Sequence, residues 1–176
     1  RDETLVVSNL LSNWDFETFS SGFTGWTETG SPTVTAETSR KWHGSQSAKV
    51  VSGASAAGRL QQDIFTSLNI HEMVGKTIRI EGRVWASAAS KARLGIRYTA
   101  SDYKYGSYHA GKDEWEAPET LYAELEIPAN ATALVAVCEV AAGTITAYFD
   151  CVVMHIEDKF RYTIPSTILM GPYKLS

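Results

Sequence analysis

Cysteine is scarce in this sequence: Cys138 and Cys151 stand alone among 176 residues. Two thiols are too few for a disulfide framework and too far apart in sequence for a zinc knuckle. They can meet in one bridge between neighbouring strands, but buried free thiols are the expected state. Long apolar runs are also missing. Leu134–Cys138 and Cys151–Met154 fall far short of the ~20 residues that span a bilayer as a helix, so no membrane partner is expected. Basic excess is missing as well: 16 Lys plus Arg face 20 Asp plus Glu, for a net charge of -4. With no Lys/Arg run to offset that average, a phosphate backbone is repelled and nucleic acid is not an expected partner. The 13 Gly and 5 Pro are scattered without a linker-like stretch, which implies a single domain large enough to bury a core.

Catalytic motifs are missing too. His71-Glu72 opens like a zinc-protease helix, but position 75 is Gly, so the second histidine is lacking. No nucleophile elbow, P-loop or dinucleotide fingerprint occurs. Asp113, Glu114, Glu116, Glu119, Glu124 and Glu126 can supply an acid/base pair for glycoside cleavage only if folding brings two together, and such a run is more often a solvated face. The chain is therefore not expected to be an enzyme. Asn130-Ala131-Thr132 fits an N-glycan acceptor, which matters only in a eukaryotic secretory route. Opening at Arg1 rather than Met, the sequence reads as a processed chain or a segment of a longer one.

What is present is a period of two. Ile78, Ile80 and Val84 alternate with Arg79, Glu81, Arg83 and Trp85 between Lys76 and Ala86, the pattern of a half-buried strand. Arg93–Thr99 and Thr120–Ile127 repeat it. Less regular strands are expected over Thr33–Ala36, Ala48–Val51, Arg59–Phe65, Leu134–Val140 and Ala147–Ile156, the last two almost wholly apolar as doubly covered strands are. Only Ser67–Val74 has the look of a short helical turn. The fold class is all-β, a two-sheet antiparallel sandwich of jelly-roll type. This domain is expected over residues 1–158. Residues 159–176, where Pro165 and Pro172 interrupt Phe160, Tyr162, Ile164, Ile168, Leu169, Met170 and Tyr173, are expected as an extended tail that docks on another surface.

Asn9-Leu10-Leu11-Ser12-Asn13-Trp14-Asp15-Phe16-Glu17, then Gly25-Trp26 and Trp42-His43-Gly44-Ser45-Gln46-Ser47-Ala48-Lys49-Val50, resemble the start of carbohydrate-binding modules of the family 4, 9 and 22 type. Leu60-Gln61-Gln62-Asp63-Ile64, Gly75-Lys76-Thr77-Ile78, Trp115, Ile127-Pro128-Ala129 and Ala147-Tyr148-Phe149-Asp150 resemble its later strands in the same order, so the likeness runs over roughly residues 8–156. The resemblance implies a galactose-binding-like jelly roll that binds polysaccharide without turning it over. It also implies a structural calcium ion, Ca2+, with Glu17 matching the first carboxylate ligand and Asp150 the last. Cys151 departs from a second Asp frequent in the family. Two carboxylates and carbonyls of the Trp42–Ser45 turn suit the hard oxygens calcium requires; equally, both residues can be ordinary hydrogen-bonded turn residues.

Sugars present apolar C–H faces ringed by hydroxyls, so a glycan site needs aromatic platforms beside planar hydrogen-bonding side chains. Trp85 shares its strand face with Arg79, Glu81 and Arg83, which makes it the first platform candidate or an indole covering arginine stems. Tyr103, Tyr105 and Tyr108, with His109, fall in a polar stretch that reads as an exposed recognition loop or as a packed one. Arg97 can fork to sugar hydroxyls or a uronate, or pair with Glu124. Gln61 shares its face with Arg59 and Asp63 and is the better groove candidate than Gln62. Trp14, Phe16, Phe23, Trp26 and Phe149 are expected in the core, while Trp42 and Trp115 are left undecided. The first function expected is an extracellular, secreted glycan-binding module. Its alternative is a structural or decoration subunit on a virion surface, touching neighbouring subunits through the tail.

Overall fold

The protein is described from a computed structural model covering residues 9–67 and 69–157. Among the described residues eleven strands run in chain order: β1 (Thr27–Thr29), β2 (Thr33–Glu37), β3 (Ser47–Val51), β4 (Gly58–Asp63), β5 (Thr77–Ala86), β6 (Ala92–Arg97), β7 (Tyr103–Tyr105), β8 (Trp115–Glu116), β9 (Tyr122–Glu126), β10 (Val135–Val140) and β11 (Thr146–Glu157). One short helix, α1 (Ile70–Met73), follows a 3-10 turn at Phe65–Ser67. Five strands form one sheet in the order β1-β4-β10-β6-β7; the other runs β2-β3-β11-β5, with β8 and β9 both on the free edge of β5. Every pairing is antiparallel.

The core lies between the sheets because each strand turns one period-two set of apolar side chains inward. Leu60, Leu94, Ile96, Ala136, Cys138 and Val140 meet Val50, Ile78, Ile80, Val84, Phe149, Val152 and Met154, all buried. Each of the Val, Leu, Ile, Phe and Met side chains among them contributes roughly 1.5–3 kcal/mol on burial. One strand breaks step. Between Asp150 and Val153 the β11 register against β5 shifts, and Cys151 takes a left-handed φ of 50°. This bulge adds one residue, so that Phe149 before it and Val152 after it both face the core.

All eight strands expected from sequence are present with their ends moved by a residue or two. Three were not expected: β1, β7 and β8 are two or three residues long, too short to show a period. Cys138 lies in the five-stranded sheet and Cys151 in the other, both as free thiols. Phe16, Phe23 and Trp26 close one end of the core, as does Leu11, whereas Trp14, expected inside, is 36% exposed. The expected tail over 159–176 lies outside the described residues.

Candidate functional site

Residues paired across an antiparallel sheet share a face. The register therefore sets the outer side of the five-stranded sheet in rows: Thr29 beside Arg59, Glu139 and Arg93; Thr27 beside Gln61, Val137, Gly95 and Tyr105; Asp63 beside Val135, Arg97 and Tyr103. Four of the six residues singled out for glycan contact, Gln61, Arg97, Tyr103 and Tyr105, stand on this one face. Tyr108 joins them through Arg93, whose guanidinium carbon lies 3.5 Å from the Tyr105 ring centroid and 4.4 Å from that of Tyr108.

β10 explains the arrangement. Its outward Val135, Val137 and Glu139 are as buried as its inward residues, because Tyr103 and Tyr105 pack on Ala133, Val135 and Val137. The two rings stack in parallel, with centroids 5.3 Å apart and planes within 2°. To reach β10, Tyr105 must cross β6, and it does so at Gly95, where an added Cβ would sit 2.5 Å from the ring.

At the centre Glu139 is 3% exposed. It accepts hydrogen bonds from Arg59 Nε at 2.7 Å, Arg93 Nε at 2.8 Å and the Tyr105 hydroxyl at 2.5 Å. Burial by itself raises the Glu139 carboxyl, but the bonds from Tyr105, Arg93 and Arg59 outweigh it and hold the group below its ordinary range. Burial, then the neighbouring carboxylate, pushes the Tyr105 hydroxyl up to about 12. Among the described residues, four buried side-chain polar atoms lack any partner, and three are on this face: Thr29 Oγ1, Gln61 Nε2 and Arg97 Nε. Arg97 spends one bond on the Thr99 carbonyl; Glu124 pairs with Arg79 instead. The Arg59 guanidinium stands 5.5 Å from the Tyr103 centroid, near the outer limit of a cation–π contact, so this ring is less covered than Tyr105. Two open grooves, of about 500 and 760 Å³, run past the β7 edge and share Tyr105 and Tyr108 respectively with the face.

Trp85 requires correction. It does share the outer face of the six-stranded sheet with Arg79, Glu81 and Arg83, but it is 8% exposed. Arg40 covers its ring at 3.7 Å, and Tyr148 packs edge-on at 5.2 Å. A stacked guanidinium occupies the surface a sugar would need, and the other candidates lie on the opposite sheet. Gln61 likewise is buried rather than open, at 8% exposure. Gln62 points the other way and bonds the Ser12 backbone. The stretch read as a loop holds Tyr103 and Tyr105 in an edge strand, and His109 is 1% exposed, donating from Nε2 to the Glu114 carbonyl and accepting the Gly111 N–H at Nδ1. Arg59, Arg93 and Glu139 escaped the sequence reading. An ionisable residue inside the nearly apolar Leu134–Val140 run was the signal for Glu139.

Glu17 and Asp150 converge on the same turn. Glu17 accepts the Ser45 and Gln46 N–H groups and the Ser45 hydroxyl. Gly44, at φ 66°, lets the backbone pass where a Cβ would lie 2.2 Å from a Glu17 oxygen. Asp150, wholly buried, accepts the N–H groups of Trp42 at 2.7 Å, His43 at 3.0 Å and Cys151 at 2.8 Å. Burial nevertheless outweighs these bonds and raises its carboxyl. As arranged, both carboxylates are engaged by N–H and O–H donors of the Trp42–Gln46 turn and Cys151, which is the hydrogen-bonded alternative to the calcium site. Among the described residues no group of three or more acidic, His or Cys side chains stands close enough to hold a metal.

No family model matches the chain, and no curated protein matches it in sequence. Solved structures do. The CBM22-1 xylan-binding domain of Paenibacillus barcinonensis Xyn10C is 16% identical over 85% of this chain and 95% of that domain, with a TM-score of 0.65. TmCBM61, solved with β-1,4-galactotriose, is 16% identical over 85% and 99%, with a TM-score of 0.58. The enzymatically active domain of tailspike protein 4 of bacteriophage CBA120 is 18% identical over 85% of this chain and 21% of that one, with a TM-score of 0.56. The chain therefore has the two-sheet jelly-roll fold of carbohydrate-binding modules.

Proposed function

We propose that the protein binds polysaccharide, without cleaving it, on the outer face of its five-stranded sheet. The observation that carries this reading is the stacked Tyr103–Tyr105 pair beside three guanidinium groups, Arg59, Arg93 and Arg97, on one sheet face. Aromatic rings take the C–H faces of a sugar, and planar forks take its hydroxyls. The likeness to a xylan-binding domain and to a galactotriose-bound module supports the same reading. Cleavage would need a carboxyl able to give or take a proton. Glu139, buried at the centre of the face, has its oxygens engaged by three donors, which does not suit it to proton transfer. Such a role belongs outside the cell or on a virion surface. The second reading, a structural part of a virus particle, draws on the likeness to the tailspike domain.

The test is affinity electrophoresis through gels containing single polysaccharides. Tyr103→Ala is expected to weaken retention about tenfold, the worth of one aromatic contact. Trp42→Ala, in the turn before β3, stacked with Arg83 of the other sheet and 51% exposed, is expected to leave retention unchanged. Equal retention of Tyr103→Ala and the unaltered protein would place the site elsewhere. Retention by no polysaccharide would favour the structural reading.

A further inference from the structure

The charge of the candidate face runs against that of the chain. The sequence has a net charge of -4, yet this face gathers three guanidinium groups, Arg59, Arg93 and Arg97, around one buried carboxylate. Glu139 answers for two of the three, lying 2.7 Å from Arg59 Nε and 2.7 Å from the Arg93 terminal nitrogen. Asp63 stands exposed at the rim, where solvent screens it, and accepts the Phe65 N–H at 2.8 Å. Asp102, close to Arg97 along the chain, bonds the Thr99 hydroxyl at 2.6 Å. Arg97 is left as a half-buried cation paired with no carboxylate among the described residues, with its Nε bonded to nothing.

A cation partly removed from water and set beside Val135 and Tyr103 gains more from an incoming anion than an exposed one does. The face already shows how it holds a carboxylate: Arg93 approaches Glu139 from both Nε and a terminal nitrogen, at 2.8 and 2.7 Å. Arg97 carries the same guanidinium four residues further along β6, with no such partner.

Resting on the glycan reading above, we infer that the polysaccharide recognised here is acidic: a uronic-acid-containing glycan whose carboxylate is held by Arg97. Tyr103, the less covered of the two stacked rings, takes a ring face.

The experiment is a glycan array carrying uronic-acid oligosaccharides, their carboxyl-reduced neutral counterparts and sulfated glycans, probed with the full chain at low and high salt. Uronic-acid glycans are expected to bind at least tenfold more tightly than their neutral counterparts, the scale of a charge-assisted hydrogen bond. This preference is expected to shrink on raising salt from about 0.05 to 0.5 M. Arg97→Gln and Arg97→Lys, each checked for native circular dichroism, are expected to bring the ratio toward one, and Arg97→Lys to retain part of it as a point charge without the fork. Neutral glycans binding as well as their acidic counterparts would overturn the inference and leave the glycan reading standing. Preference for sulfated over carboxylated glycans would overturn the uronate assignment. Binding to no glycan at all would sink the glycan reading, and this inference with it.

Discussion

Gly95→Ala tests whether Tyr105 lies flat across the sheet. A methyl at this position would sit 2.5 Å from one ring carbon of Tyr105, 2.9 Å from the next and 3.2 Å from the Lys104 carbonyl. Carbon atoms at rest stand about 3.5–4.0 Å apart, so the ring must retreat by roughly 1 Å. Its retreat is blocked on three sides: the hydroxyl is tied to Glu139 at 2.5 Å, Tyr103 is stacked against it, and Arg93 lies 3.5 Å from its centroid. Overpacking of this kind costs about 1–3 kcal/mol. Relief of the strand-interior glycine penalty returns roughly 0.5–1 kcal/mol, leaving a net loss centred on about 1 kcal/mol. For a domain of this size the melting temperature is expected to fall by about 2–4 °C, with polysaccharide retention weakened in parallel. Thermal melts followed by circular dichroism, paired with affinity electrophoresis, measure both. A Gly95→Ala protein that melts and binds like the unaltered chain would refute the packing argument, because the ring could not then be where the methyl must go.

Acid is expected to weaken the same cluster. The folded-state carboxyl of Glu139 lies below its unfolded value of about 4.3, so its contribution is fully present above that pH and is lost as pH falls through the folded value. Melting temperature against pH should therefore bend downward at and below about pH 4, and Glu139→Gln should flatten the bend; an unchanged profile would show that the carboxylate is not held ionised by its three donors. At the opposite sheet, Glu17 and Asp150 hold the Trp42–Gln46 turn through N–H donors. Exhaustive chelation is therefore expected to shift the melting temperature by less than about 1 °C; a fall of several degrees, reversed by added calcium, would show that the turn offers its carbonyls to an ion instead.

The fold was legible because its cause is local. Ile78, Ile80 and Val84 had to share a side, and hydrophobic burial fixes which side that is; the same period carried β6 and β9. The site was half legible for the same reason. Alternation put Gln61 and Arg97 on outward faces and Trp85 with the arginines, and the structure keeps all three on those faces. What alternation does not carry is which sheet a strand joins and what then lies over it. Trp85 and Tyr103 both point outward, yet β5 and β7 belong to different sheets, and Arg40, from a loop forty-odd positions away in sequence, closes over the indole. Tyr103 and Tyr105 are two apart on a strand too short to show a period, so only pairing with β6, past a residue without a side chain, brings their rings onto β10. Glu139 makes the same point from the other direction. Within its own strand it is an ionisable residue in an apolar run, which reads as an interruption. Set between Arg59 and Arg93 by two registers that no single segment encodes, it becomes the anchor that satisfies two cations and leaves the third, Arg97, without a carboxylate of the described chain.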